Sequence, residues 1–192
     1  MELQAPLTLL ALVTLVLTAV VCDLRSRRIP NVLIGVGIAL GLLLQTVAPM
    51  GGGFFASSGG ALGLGPALLG GAVGLALFLP LYALRTLGAG DVKLLAMVGV
   101  WLGAPSVARA ALWTLLAGGV LALAVALGTG VLRQVLGNLR VMLTTSLIQA
   151  HTGGGLSTTP PARTTGRLPY AVAIACGTAI ELGRLLLMRA GT

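Results

Sequence analysis

Acidic side chains are almost missing from this chain. Glu2, Asp23, Asp91 and Glu181 are the whole complement in 192 residues, against 12 Lys and Arg. That excludes any acidic or carboxylate-rich site. Aromatic residues make up only 4%, and the basic ones are scattered between apolar runs, so the net charge of +8 does not describe a nucleic-acid surface. Cysteine is limited to Cys22 and Cys176, far apart in the chain, so no CxxC pair exists and zinc-ribbon and thioredoxin-like chemistry are excluded. The count alone allows one disulfide; buried free thiols are the expectation. His151 is the sole histidine and has no second ligand nearby, so neither a metal site nor a Ser–His nucleophile is expected.

Charge of either sign is scarce as well. Charged residues are 8% of the chain, where a soluble domain carries roughly 25%. Hydrophobic residues are 57% and the mean hydropathy is +1.05. Such a chain cannot cover its own surface in water, so the expected fold class is an all-α polytopic membrane protein. Six apolar spans are expected, at about residues 5–22, 32–47, 61–84, 94–102, 108–132 and 168–188. The run ending Val20-Val21-Cys22 superficially resembles a lipoprotein signal. It lacks a basic start, and Val21 is a poor small residue before the cysteine, so it reads as a retained first helix. Pro30 suits a helix start, and the uncharged, Gly- and Ser-rich stretch 50–60 reads as a short turn. Residues 133–151 read as an amphipathic helix at the interface or as an extension of the fifth span. Residues 152–166 are rich in Gly, Thr and Pro. The whole chain, 1–192, reads as one membrane-embedded domain with a cytoplasmic loop at about 133–167.

Orientation follows from the basic residues. Arg25, Arg27, Arg28, Arg85, Lys93, Arg133, Arg140, Arg163 and Arg167 fall on one side, and Arg109, Arg184 and Arg189 on the other. The positive-inside rule places the first set in the cytoplasm and both termini outside. Asp23 then closes the first helix and Asp91 opens the fourth, both at the cytoplasmic face. Each has an ordinary explanation. Asp23 has Arg27 at i,i+4, and Asp91 suits a helix N-cap. Neither explains why the only two acids of the inner loops should share one level, where ionisable groups are costly and default to function. Two carboxylates within a few ångströms share a proton. The ionised one can activate water while the protonated one polarises a carbonyl. Gly88 and Gly90 leave room for a substrate backbone beside Asp91.

These residues fall into motifs. Gly88-Ala89-Gly90-Asp91-Val92-Lys93 resembles the GxGD signature of intramembrane aspartic peptidases, in the form found in type IV prepilin peptidases. Asp23-Leu-Arg-Ser-Arg-Arg-Ile-Pro30-Asn31 is similar to the companion motif of that family, and Pro169-Tyr170 to the segment opening its last helix. The resemblance implies removal of the leader from type IV pilin-like precursors at the cytoplasmic face, with Asp23 and Asp91 as the catalytic pair. Longer members carry a CxxC-bearing cytoplasmic domain and also methylate the new terminus. This chain lacks that insertion and resembles the short peptidase of tad-type (Flp) pilus systems, so no cofactor, zinc included, is expected.

Other residues near the motifs invite roles. Lys93 is placed to steady Asp91, to touch substrate, or to anchor at the inner leaflet. Pro30 and Asn31 shape the turn beside Asp23. Arg25, Arg27 and Arg28 set topology and fit anionic lipid better than a basic leader. Two other classes compete with the peptidase. One is a small proton- or cation-coupled transporter, whose broken helices would lie nearer the midplane. The other is a noncatalytic scaffold of a pilus or secretion assembly, which would tolerate Asp91→Asn.

Overall fold

Backbone N–H and C=O groups in hydrocarbon must find partners within the protein, so a chain this apolar is driven to helix. A computed structural model describes residues 4–56, 59–84, 86–128, 130 and 169–191. It contains α1 (Gln4–Ser26), α2 (Asn31–Val47), α3 (Leu64–Ala83), α4 (Ala89–Leu102), α5 (Ala104–Gly128) and α6 (Tyr170–Ala190). Helices α1, α3, α5 and α6 are long and apolar enough to cross a membrane, and α2 is a shorter apolar helix. The protein is an all-α polytopic membrane protein. Among the described residues the only bridge between extended segments joins Met50 and Ala61. The chain divides into two compact units, residues 1–118 with 169–192, and residues 119–168. Of the second, the description covers the end of α5 and Gly130. The expected amphipathic stretch 133–151, the Gly/Thr/Pro-rich stretch 152–166 and the loop 133–167, with Arg133, Arg140, His151, Arg163 and Arg167, lie outside the described residues, as does Arg85.

Helix α4 is the axis of the first unit. Every residue from Leu94 to Leu102 is buried, although 14 residues reach only about 21 Å at 1.5 Å per residue. It can be surrounded because its neighbours carry glycine where it passes. A Cβ on Gly70 of α3 would strike the Gly99 carbonyl oxygen, and one on Gly74 would come within 2.6 Å of the Leu95 carbonyl. On the α2 side Gly37 and Gly41 make room for Met97 and Trp101. The Trp101 indole then donates to the Gly37 carbonyl at 3.0 Å. Small residues at helix crossings permit this approach in a bilayer, where dispersion contacts rather than water exclusion hold helices together.

Three boundaries differ from the sequence expectation. Helix α1 runs past Cys22 to Ser26 and closes with Arg27 in the left-handed region (φ 51°), its N–H donating to the Asp23 carbonyl at 2.8 Å. Helix α4 begins at Ala89 rather than near residue 94, because Asp91 supplies its own start (below). Helix α5 begins at Ala104, which puts Pro105 in the first turn, where a missing N–H costs nothing. The 48–63 connection is more than a turn. Phe54 and Phe55 are buried within it, and backbone bonds join Gly51 to Ala61 and Ala61 to Pro49, each at 2.7 Å. Buried Gln45 ties it to α4. Its carbonyl oxygen accepts from Leu62 N–H at 2.7 Å, and its amide donates to the Val100 and Trp101 carbonyls at 3.2 and 3.4 Å. The cysteines are unbonded, but the expectation of burial fails at Cys176, which faces outward on α6; Cys22 is partly covered.

Candidate active site

Asp91 stands in the first turn of α4, three residues after the N-cap Gly88. A glycine cap has no side chain to offer the first amides of the helix. Asp91 supplies the reverse contact, its Oδ2 accepting the Gly88 N–H at 3.0 Å, while its own N–H donates to the Gly88 carbonyl at 3.1 Å. The ordinary capping role is therefore real, from inside the helix rather than at the cap. Its side chain is buried.

Asp23 is one turn from the end of α1 and is also buried. Its i,i+4 neighbour Arg27 meets it through the backbone, and its carboxylate points instead to α6. The N-cap of α6 is Pro169, which offers no side-chain cap. Asp23 Oδ2 fills that role from a different helix, accepting the Ala171 N–H at 3.3 Å. A helix N-terminus is a favourable place for negative charge. Each aspartate thus has one, Asp91 that of its own helix and Asp23 that of α6.

Tyr170 lies within electrostatic reach of Asp91. Its ring packs edge-on against Phe78 of α3, centroids 6.0 Å apart. It also lies so close over Gly118 of α5 that a Cβ there would come within 2.8–3.0 Å of the ring and hydroxyl. The first turn of α6 therefore bonds to Asp23 and has Asp91 within electrostatic reach of its tyrosine. The sequence marked Pro169-Tyr170 as a motif without giving it a task. The missing task is a contact across 148 positions.

The other expected site residues sit at the same ends of α2 and α4. Lys93 donates to Asn31 Oδ1 at 3.0 Å, an exposed bond between the starts of α4 and α2, so it fastens two helices. Pro30 caps α2 in extended conformation, φ −61° and ψ 131°. A Cβ on Gly90 would come 3.3 Å from Ile29 Cβ, so this glycine seats the α1–α2 turn. One on Gly88 would lie 3.2 Å from Asp91 Oδ2.

A sequence model of the type IV leader peptidase family matches residues 10–127. The chain belongs to the type IV leader peptidase family. The matched segment holds both aspartates, Gly88, Gly90 and Lys93, and stops before the α6 turn that meets Asp23. No curated protein and no solved structure matches the chain. Membership in this family implies a protease.

Two further polar features of the first unit lie apart from the aspartates. Glu181, buried on α6, is gripped by Arg109 of α5 at 2.8 Å and by Arg184 at 2.7 Å. The sequence had used these arginines only as orientation charges. A cavity of about 210 Å³ opens among Phe54, Phe55, Trp101, Ser106 and Arg109, sharing no residue with the aspartate site. Among the described residues no group of three His, Cys, Asp or Glu side chains could hold a metal.

Proposed function

We propose that this leader peptidase removes the leader of type IV or Flp pilin-like precursors, with Asp23 and Asp91 as its catalytic pair. The observation that carries the reading is the burial of both carboxylates at helix N-termini, Asp23 Oδ2 accepting the Ala171 N–H of α6 and Asp91 Oδ2 the Gly88 N–H of α4. Burying a carboxylate is costly unless its charge is compensated. Helix N-termini lower that cost.

The chemistry is that of a shared-proton pair. The ionised carboxylate takes a proton from water as the water oxygen bonds to the scissile carbonyl carbon. The protonated carboxyl gives its proton to the carbonyl oxygen, forming a tetrahedral diol. Collapse of the diol breaks the C–N bond. The leaving amine takes the proton won from water, and a diol hydroxyl returns one to the second carboxylate, restoring the pair. The excess of arginine and lysine on the side of this site orients it to the cytoplasm of a bacterial inner membrane, with both termini outside. Arg25, Arg27 and Arg28 there meet anionic headgroups.

Co-expression with a pilin precursor tests the reading by the precursor's size shift. Wild type converts it, whereas Asp23→Asn and Asp91→Asn, which keep shape but cannot share the proton, leave it uncut while remaining in the membrane. Cleavage by either variant refutes the two-aspartate mechanism.

A further inference from the structure

Each aspartate has its own anchor, Asp91 at the start of α4 and Asp23 at the start of α6, and neither anchor ties one acid to the other. The turn 27–30 between α1 and α2 does join their segments. It moves with Asp23. The Asp23 carbonyl accepts the Arg27 N–H at 2.8 Å, and the Ser26 hydroxyl lies 2.8 Å from the Cys22 carbonyl and 3.1 Å from that of Arg28. Its far end meets α4 twice. Half-buried Ile29 packs on Gly90, where an added Cβ would come 3.3 Å from Ile29 Cβ. Asn31, the first residue of α2, accepts a hydrogen bond from the Lys93 ammonium at 3.0 Å. Gly90 and Lys93 stand on either side of Asp91 in the same helix.

The second contact is not where a lysine would settle unaided. The start of α2 is the positive end of a helix dipole, which disfavours an ammonium. A lysine beside an apolar bundle ordinarily extends its stem toward water or headgroups. The i,i+2 spacing also turns Lys93 to a different side of α4 from Asp91. The directed bond to Asn31 Oδ1 accounts for its place. Asparagine suits the task, because an amide oxygen accepts from an ammonium without adding a third carboxylate near the pair.

We propose that Asn31 and Lys93 are positioning residues for the aspartate pair: their bond, together with the Ile29–Gly90 contact, clasps the turn after Asp23 to the helix that carries Asp91 and so sets the spacing of the two acids. The proposal rests on the two-aspartate reading. The apolar contact limits how closely turn and helix approach, and the polar one fixes their register. Neither residue adds an atom to the reaction. A proton-sharing pair is sensitive to such a clasp, since the interaction of two carboxyl groups depends on their distance. Both acids must also meet one water and one carbonyl, and a misplacement of about 1 Å there can cost on the order of 100-fold.

Lys93→Met and Asn31→Leu test this with the full-length protein in proteoliposomes and a purified pilin precursor. Methionine keeps an apolar stem without the ammonium, and leucine removes the acceptor at similar size. Each is expected to lower kcat about 10-fold, part of what a displacement near 1 Å costs. KM stays within about twofold. The melting temperature stays within about 2 °C, because an exposed bond stabilises little. Both substitutions cut the same bond, so the double variant also loses about 10-fold rather than the product of about 100-fold. Asn31→Asp, which keeps an acceptor for the ammonium, retains kcat within about twofold of wild type. With wild type active and Asp91→Asn inactive, three results overturn the clasp alone: wild-type kcat in either single variant, losses that multiply in the double, or Asn31→Asp as slow as Asn31→Leu. A loss carried by a raised KM, or explained by melting, overturns it as well. Cleavage by Asp91→Asn, or none by wild type, overturns the peptidase reading and this proposal with it.

Discussion

Gly99→Ala probes whether the α3–α4 crossing sets the position of the candidate active site. A Cβ at residue 99 would strike the Gly70 carbonyl oxygen and lie 2.7 Å from its carbon, whereas ordinary contact begins at 3.4 Å. Both obstacles are backbone, so no side chain can swing away, and the helices must part by about 1 Å to bring the oxygen to ordinary contact. Overpacking of this kind costs about 1–3 kcal/mol. Alanine's better helix propensity returns up to about 1 kcal/mol. The net is a destabilisation of about 1–2 kcal/mol, or a melting temperature lower by about 2–8 °C for a chain of this size. The consequence for activity is larger. Asp91 lies two turns along the same helix, about 12 Å away, and a shift near 1 Å at a reacting group can cost on the order of 100-fold. Thermal melting in detergent and precursor cleavage read the two effects separately. Gly35→Ala and Gly65→Ala, with nothing within 4 Å of the added carbon, are the controls and leave both unchanged or slightly improved. A Gly99→Ala protein that melts and cleaves like wild type would falsify the idea that this crossing fixes Asp91.

Two further substitutions test other joints of the fold. Gln45→Leu removes the acceptor of the Leu62 N–H and the donor to two carbonyls at the end of α4. It should destabilise by about 2–4 kcal/mol, seen as a lower melting temperature. A shift below about 0.5 kcal/mol would mean that water reaches those groups. Glu181→Gln leaves Arg109 and Arg184 without their shared anion and should lower the melting temperature, while Arg109→Gln added to it recovers part of the loss. Absence of that recovery in a two-by-two melting comparison would show that the ion pair does not link α5 to α6.

The membrane class could be read from composition, because a chain with 8% charged residues has no means of covering a water-facing surface. Apolar run length gave the helices to within a few residues, and the two motifs around Asp23 and Asp91 stood out against a background nearly free of acids. Those features are local, or sums over the chain. Boundaries were missed where a side chain reaches back over its own turn, as Asp91 does to Gly88. The 50–60 stretch looked like a plain turn because its glycines outnumber Phe54 and Phe55, yet the two buried rings make it a packed segment.

What the sequence could not contain is distance between remote residues. It offered Lys93 to Asp91, to substrate or to the inner leaflet, with no sign that its amine would donate to Asn31. It offered Gly90 as bare backbone beside Asp91, with no sign that Ile29 would pack against it. It showed Pro169-Tyr170 with no indication that the next amide would cap from Asp23, or that Gly118 would be bare to admit the ring. A sequence by itself determines which groups are present and which local conformations they favour. Only the packing of α1, α4 and α6 decides which carboxylate meets which helix end, since a hydrogen bond or a charge acts over a few ångströms of space whatever the separation along the chain.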